Sequence, residues 1–234
     1  EAIGVALGWW PSFPSASGAY VKLEPDGSGQ IITGAQECGT GAVLAGIPGT
    51  PCEGCYALKG RYRMPSVVDA LERRLQAFHG LESPAWSAIM AELIRRQSPD
   101  YFRWFDSGDV YSLKLAEKIL AVMQATPWVK HWLPTRMHKF VKFRAVFAAM
   151  ESLPNVVVRY SSDSVTGEVV AGRNTSTIVA SLDSGNSSLT VCESSTREGK
   201  CGPCRACWNQ DVSVIAYPAH GKTMLKLINL KEVA

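Results

Sequence analysis

The chain has 234 residues, of which 46% are hydrophobic and 19% charged, with a formal net charge of +3. That length buries a core without cross-links, so the composition excludes a miniature disulfide scaffold and a disordered tail, while the weak positive charge permits a nucleic-acid partner without arguing for one. No apolar run approaches the roughly 18 residues of a membrane span, and no secretory leader is recognisable behind Glu1, so the expected setting is cytoplasmic, with no membrane partner.

Residues 1–60 are rich in Gly, Pro and Ser and read as loop, with one strand near Gln30 to Thr33. "PSVVDALERRLQAFHG" then places Val67, Val68, Leu71, Leu75 and Phe78 at helical spacing and stops at Gly80. "SPAWSAIMAELIRRQ" follows as a second helix, with Ser83 as cap, Pro84 at its first position, and Trp86, Ile89, Met90, Leu93 and Ile94 on one face. An alternation comes next: strand 101–106, helix 112–126, strand 128–134 and helix 136–153, then strands 155–163, 176–183 and 212–220 with little helix between them. The expected fold is α/β, a single-domain open or incomplete βα barrel over residues 1–234, with cysteine-rich loops.

Such folds place their working groups just past the carboxyl ends of strands. Those ends hold Asp106, Ser107 and Asp109, then Thr135 and Arg136, then Ser161, Ser162 and Asp163, then Asp183, then His220. Asp106 and Asp109 are the candidate catalytic carboxylates; Ser107, Gly108, Arg136 and His220 are candidate cofactor contacts. Each of these polar residues taken alone also suits ordinary turn or capping duty.

Seven cysteines fall into an early trio, Cys38, Cys52 and Cys55, and a late quartet, Cys192, Cys201, Cys204 and Cys207. The odd total argues against a complete disulfide framework and for metal ligation. In the quartet, C-x8-C-x2-C-x2-C crowds thiolates more tightly than the separated pairs usual for structural zinc and comes nearer to the runs that wrap a 4Fe–4S cluster; a zinc knob or free thiols remain the alternatives. The trio is one ligand short. Three thiolates would leave one iron of a 4Fe–4S cluster open to a ligand, whereas a histidine, from His79, His131, His138 or His220, would close a zinc site instead. One or two clusters are therefore expected.

"CEGCYALKGRYRMPSVVDALERR", "RWFDSGDVYS", "HWLPTR" and "GKCGPCRACWNQDVSVIAYPAHGK" resemble, in that order, blocks of the phage gene-product-eighty-eight-like family, over about residues 34 to 222. That family in turn is distantly similar to radical S-adenosylmethionine enzymes, whose partial barrels hold a three-cysteine cluster near the first strand. The resemblance implies a phage-encoded iron–sulfur protein in the host cytoplasm, S-adenosylmethionine as a further cofactor, and an electron donor as partner if the protein is redox-active. Within it, "DSGDVYS" occupies the place of the segment that holds the cofactor's amino group, with Gly108 allowing close approach and Asp106 or Asp109 accepting from an ammonium. The departure is that Cys38 and Cys52 have 13 residues between them instead of standing in a C-x3-C-x2-C run, so the first ligand comes from a different loop.

Arg61 and Arg63 flank Tyr62 beside the early cysteines, a pairing suited to stacking on bases and gripping phosphate. Arg73 and Arg74 lie on the first helix. Arg136, Lys139, Lys142 and Arg144 lie on helix 136–153, whose Met137, Phe140, Val141, Phe147 and Met150 are expected to form much of the inward face, leaving many of these basic groups outward. Three functions compete: an iron–sulfur redox or radical enzyme acting on a nucleotide or nucleic acid, a zinc-stabilised nucleic-acid-processing enzyme, and a non-catalytic metal-binding module for nucleic acid or a host protein.

Overall fold

A computed structural model describes residues 3–6, 19–23, 29–33, 64–97, 99–105, 108–162, 167–184, 189–199 and 201–219. Near the start, β1 (Ile3–Ala6), β2 (Ala19–Leu23) and β3 (Gly29–Thr33) form an antiparallel sheet in that order. The strand expected near Gln30 is there. The other two strands were hidden because short strands set among glycine and proline give no sustained alternation.

The larger sheet has six strands, all parallel: β4 (Tyr101–Arg103), β5 (Lys130–Thr135), β6 (Val156–Ser161), β7 (Thr175–Val179), β8 (Thr190–Val191) and β9 (Val214–Pro218). Their spatial order is β4-β5-β6-β7-β9-β8, and the sheet curls into a half-barrel, an open α/β fold. Strand β8, two residues long, was invisible to periodicity.

Among the described residues four helices accompany this sheet: α1 (Pro65–Gly80), α2 (Ser83–Gln97), α3 (Leu113–Ala125) and α4 (Arg144–Glu151). Helix α1 starts with Pro65, whose missing N–H would have no partner in a first turn anyway, and buries Leu71, Leu75 and Phe78. Helix α3 is capped by Ser112, whose hydroxyl accepts from the Leu115 N–H at 3.2 Å, and it buries Leu115, Ala116, Ile119, Val122 and Met123. These side chains meet Leu133, Val156, Val158 and Tyr160 of the sheet and Phe143, Phe147 and Met150 of the α4 region in one core. Asn155 fastens the end of α3 to the sheet, its amide donating to the carbonyls of Met123, Thr126 and Val129.

The expected helix 136–153 is corrected. Two 3-10 turns, Met137–Lys139 and Val141–Phe143, precede α4, and Phe140 between them is extended. Phe140 and Val141, expected inward, are 44% and 72% exposed. The extended Phe140 interrupts the run, while the N–H groups of Arg136 and Met137 are bonded to Asp109 Oδ2 and Thr135 Oγ1 at the end of β5. Lys139, Lys142 and Arg144 are exposed as expected.

Register divides the large sheet into two faces, because side chains alternate along a strand and Cα partners share a side. His131, Leu133, Val156, Val158 and Tyr160 point to the helices. Arg103, Trp132, Arg159, Ser176 and Tyr217 fall on the opposite, inner face. The connection from β8 to β9 is a parallel crossover built without an α-helix. It is the cysteine-bearing loop, and it crosses that inner face.

Candidate functional site

At the carboxyl ends of β4, β5 and β6 the chain makes a polar shelf. Asp109, 6% exposed, accepts from Val110 N–H at 2.7 Å, Thr135 Oγ1–H at 2.6 Å and Arg136 N–H at 2.6 Å. Burial pushes its carboxyl pKa up while those three donors pull the other way. The segment between β4 and Asp109 bends through two left-handed positions, Phe105 at φ 57° and Gly108 at φ 94°. Glycine adopts that conformation freely; a phenylalanine does so only when its surroundings enforce it. Arg136 continues the shelf by donating from Nε to the Ser162 carbonyl at 2.9 Å, and Ser162 N–H bonds Ser176 O at 2.9 Å. Asp109, Thr135, Arg136 and Ser162 are therefore brought together as the strand-end reading expected. Gly108 supplies the turn, and Asp183 sits apart on an exposed 3-10 turn.

Cys38, Cys52, Cys55, Arg61, Arg63, Asp106, Ser107, Asp163 and His220 lie outside the described residues. Of the histidines weighed as a fourth zinc ligand, His131 is excluded. It is wholly buried, its Nδ1 accepts from Trp104 Nε1–H at 3.3 Å, and its Nε2 is 2.8 Å from Thr126 Oγ1, which itself donates to Val122 O. Burial lowers its pKa to about 4. Both ring nitrogens are committed to the helix-side core. His79 is exposed in the last turn of α1, and the ring of His138 packs against Tyr160.

The late quartet is wholly described, and its members are free thiols: Cys192 and Cys207 half-buried, Cys201 and Cys204 exposed. Cys192 follows β8 and is tied to β9 by its N–H to Ala216 O at 2.8 Å. Cys207 Sγ lies 3.4 Å from Tyr217 Oη. The loop around it is gripped from below by Arg159, whose guanidinium donates to the carbonyls of Ala206, Cys207, Asn209 and Val212 at 2.8–2.9 Å. Trp208 adds a bond from Nε1 to Phe102 O at 3.0 Å and packs edge-on against Trp132. The Arg159 charge and the Tyr217 hydroxyl favour a Cys207 thiolate, against a larger upward push from burial.

Thiolate donors beside a buried cation suit a metal centre chemically. Geometrically, no three Cys, His, Asp or Glu side chains converge on a common point among the described residues. Cys201 and Cys204 sit on the turn that follows Arg197. Gly199 and Gly202, both in the left-handed region at φ 79° and 58°, stand within it.

Among the described residues, two openings adjoin these elements. One, about 450 Å³, is lined by Asp100, Tyr101, Cys201, Gly202, Arg205 and Trp208, with the Arg205 guanidinium 4.9 Å above the Tyr101 ring. The other, about 510 Å³ and mainly apolar, lies among α1, α2, α3 and β4. Phe78, Trp86, Ile89, Leu93 and Tyr111 line it. Ile89 and Leu93, expected on one face of α2 with Trp86, Met90 and Ile94, are about half exposed there.

Arg159, Tyr217 and Trp132 escaped the sequence reading, which followed strand ends. Arg159 did leave a signal: "NVVVRYSS" carries one charged residue at an inward position of an otherwise apolar strand.

Among the described residues no helix is long and apolar enough to cross a membrane. No curated protein and no solved structure matches the chain. The model of the phage family Gene product 88 matches residues 15–210, and this chain, with its half-barrel and its two cysteine groups, belongs to that family.

Proposed function

We propose that the chain is an iron–sulfur protein, a redox or radical enzyme that acts on a nucleotide or nucleic acid. The observation that carries this reading is the fastening of the late cysteine loop by Arg159, which stations Cys207 between a permanent cation and the Tyr217 hydroxyl. Cys192, Cys201, Cys204 and Cys207 would hold one cluster, which with four thiolates is saturated and serves to carry electrons. Cys38, Cys52 and Cys55 would hold the second, with one iron open. A cluster supplies one-electron chemistry when bound, and S-adenosylmethionine would supply the radical precursor.

On this reading the polar shelf receives the substrate or cofactor. Asp109 holds the backbone of Arg136 so that its guanidinium stands over the β6 end, where it suits a phosphate or carboxylate. The exposed Lys139, Lys142 and Arg144 offer a phosphate backbone further charge, and binding that relies on them weakens steeply with salt.

Zinc in the late quartet is the second reading, favoured by the exposure of Cys201 and Cys204 on a loop without other chemistry. Anaerobic isolation separates the two. An iron–sulfur protein is brown, with a broad absorbance near roughly 400 nm, and S-adenosylmethionine perturbs it. A colourless protein with stoichiometric zinc would leave the second reading standing.

A further inference from the structure

Arg159 is wholly buried, and every hydrogen bond it makes ends on a neutral main-chain carbonyl: Cys207 O from Nε, Val212 O from Nη1, Ala206 O and Asn209 O from Nη2. Among the described residues no carboxylate pairs with it. A cation shut away from water is normally matched by an anion. The neighbouring groups able to become anionic are the Cys207 thiol and the Tyr217 hydroxyl beside it, and burial pushes the Tyr217 pKa well above its ordinary value.

A second observation points to the same place. Trp132 is 5% exposed, yet its Nε1–H has no hydrogen-bond partner among the described residues. Its ring meets Trp208, the neighbour of Cys207, at 5.2 Å between centroids, and the Arg103 guanidinium lies 4.8 Å over it. A buried donor left without an acceptor is rare enough in folded proteins to call for an unseen partner.

We propose that Arg159, Tyr217 and Trp132 wall an anionic thiolate–metal centre on the Cys192–Cys207 loop, Arg159 balancing its charge and the Tyr217 and Trp132 donors bonding its sulfurs. This rests on the metal reading of the late quartet and extends it to the residues that orient and stabilise the centre. Four thiolates carry four negative charges. Zinc(II), or a 4Fe–4S core of charge two, cancels half of them, so either centre leaves negative charge facing the guanidinium. Partners of this kind hold a metal centre through its ligands, and their removal weakens metal affinity about 10-fold to 100-fold.

The test uses cobalt(II) added to the reduced, metal-free full-length protein, followed by thiolate-to-cobalt absorption. The native chain is expected to develop that absorption and to release cobalt to zinc. Tyr217→Phe and Trp132→Phe should each bind cobalt about tenfold more weakly. Arg159→Lys, which keeps the charge and loses the fork, should bind more tightly than Arg159→Gln. If the Arg159 variants fail to fold, the two aromatic variants still decide. Cobalt–thiolate absorption in the native chain with unchanged affinity in Tyr217→Phe and Trp132→Phe overturns the proposal alone. Absence of that absorption in the native chain overturns the metal reading beneath it as well.

Discussion

Thr135 shows how single atoms set the shelf. Its hydroxyl, almost wholly buried, gives its proton to Asp109 and accepts from Met137 N–H. Thr135→Val keeps the shape and removes both bonds. We expect a loss of about 2 kcal/mol in urea denaturation at neutral pH and a further rise in the Asp109 pKa, since a donor that favours the ionised carboxylate is gone. Unchanged stability would contradict this role. His131 makes a prediction about acid. Its folded pKa is near 4, against an ordinary 6.5, so between those values the unfolded chain takes up a proton that the folded chain refuses. Stability from this group is complete above pH 6.5 and is lost as pH falls toward 4, to a total of about 3 kcal/mol. His131→Gln should flatten that part of the pH–stability profile, and a profile as steep as the native one would refute the assignment.

Among the elements, the end of α1 is held by a residue from another helix. Lys118 of α3 is wholly buried; its Nζ donates to Phe78 O at 2.9 Å and Leu81 O at 3.1 Å and lies 4.2 Å over the Phe78 ring. The ammonium satisfies carbonyls that the helix end leaves open and sits at the negative end of its dipole. Lys118→Met should therefore cost about 2 kcal/mol, measured by thermal and urea unfolding; native-like stability would show that the cap does nothing. Helices α1, α2 and α3 were legible because apolar spacing agreed with local signals, Pro65 and Gly80 at the two ends of α1 and Pro84 in the first turn of α2. The expected helix 136–153 was not. Phe140 is extended between two 3-10 turns, Asp109 bonds the Arg136 N–H from 27 positions away, and an apolar pair, Phe140 and Val141, mimicked a buried face while lying in solvent.

For the whole molecule, the parallel half-barrel and the shelf at its strand ends followed from alternating strands and helices, whereas the inner face did not. That face is defined by register across β4, β5, β6, β7 and β9, and by a crossover that replaces a helix with a cysteine loop, so Arg159 meets Ala206 and Cys207 across 47 and 48 positions of chain. The cysteine spacing named the loop without saying what would lie beneath it. What lies beneath is a buried cation with neutral partners, and the account turns on an anionic metal centre completing that arrangement. Iron, acid-labile sulfide and zinc measured per chain on anaerobically isolated protein, native against a variant with Cys192, Cys201, Cys204 and Cys207 all changed to alanine, test this most directly. The account predicts iron and sulfide in equal amounts in the native protein and the loss of about four of each in the variant; native protein without metal, or iron and sulfide unchanged by the substitutions, would contradict it.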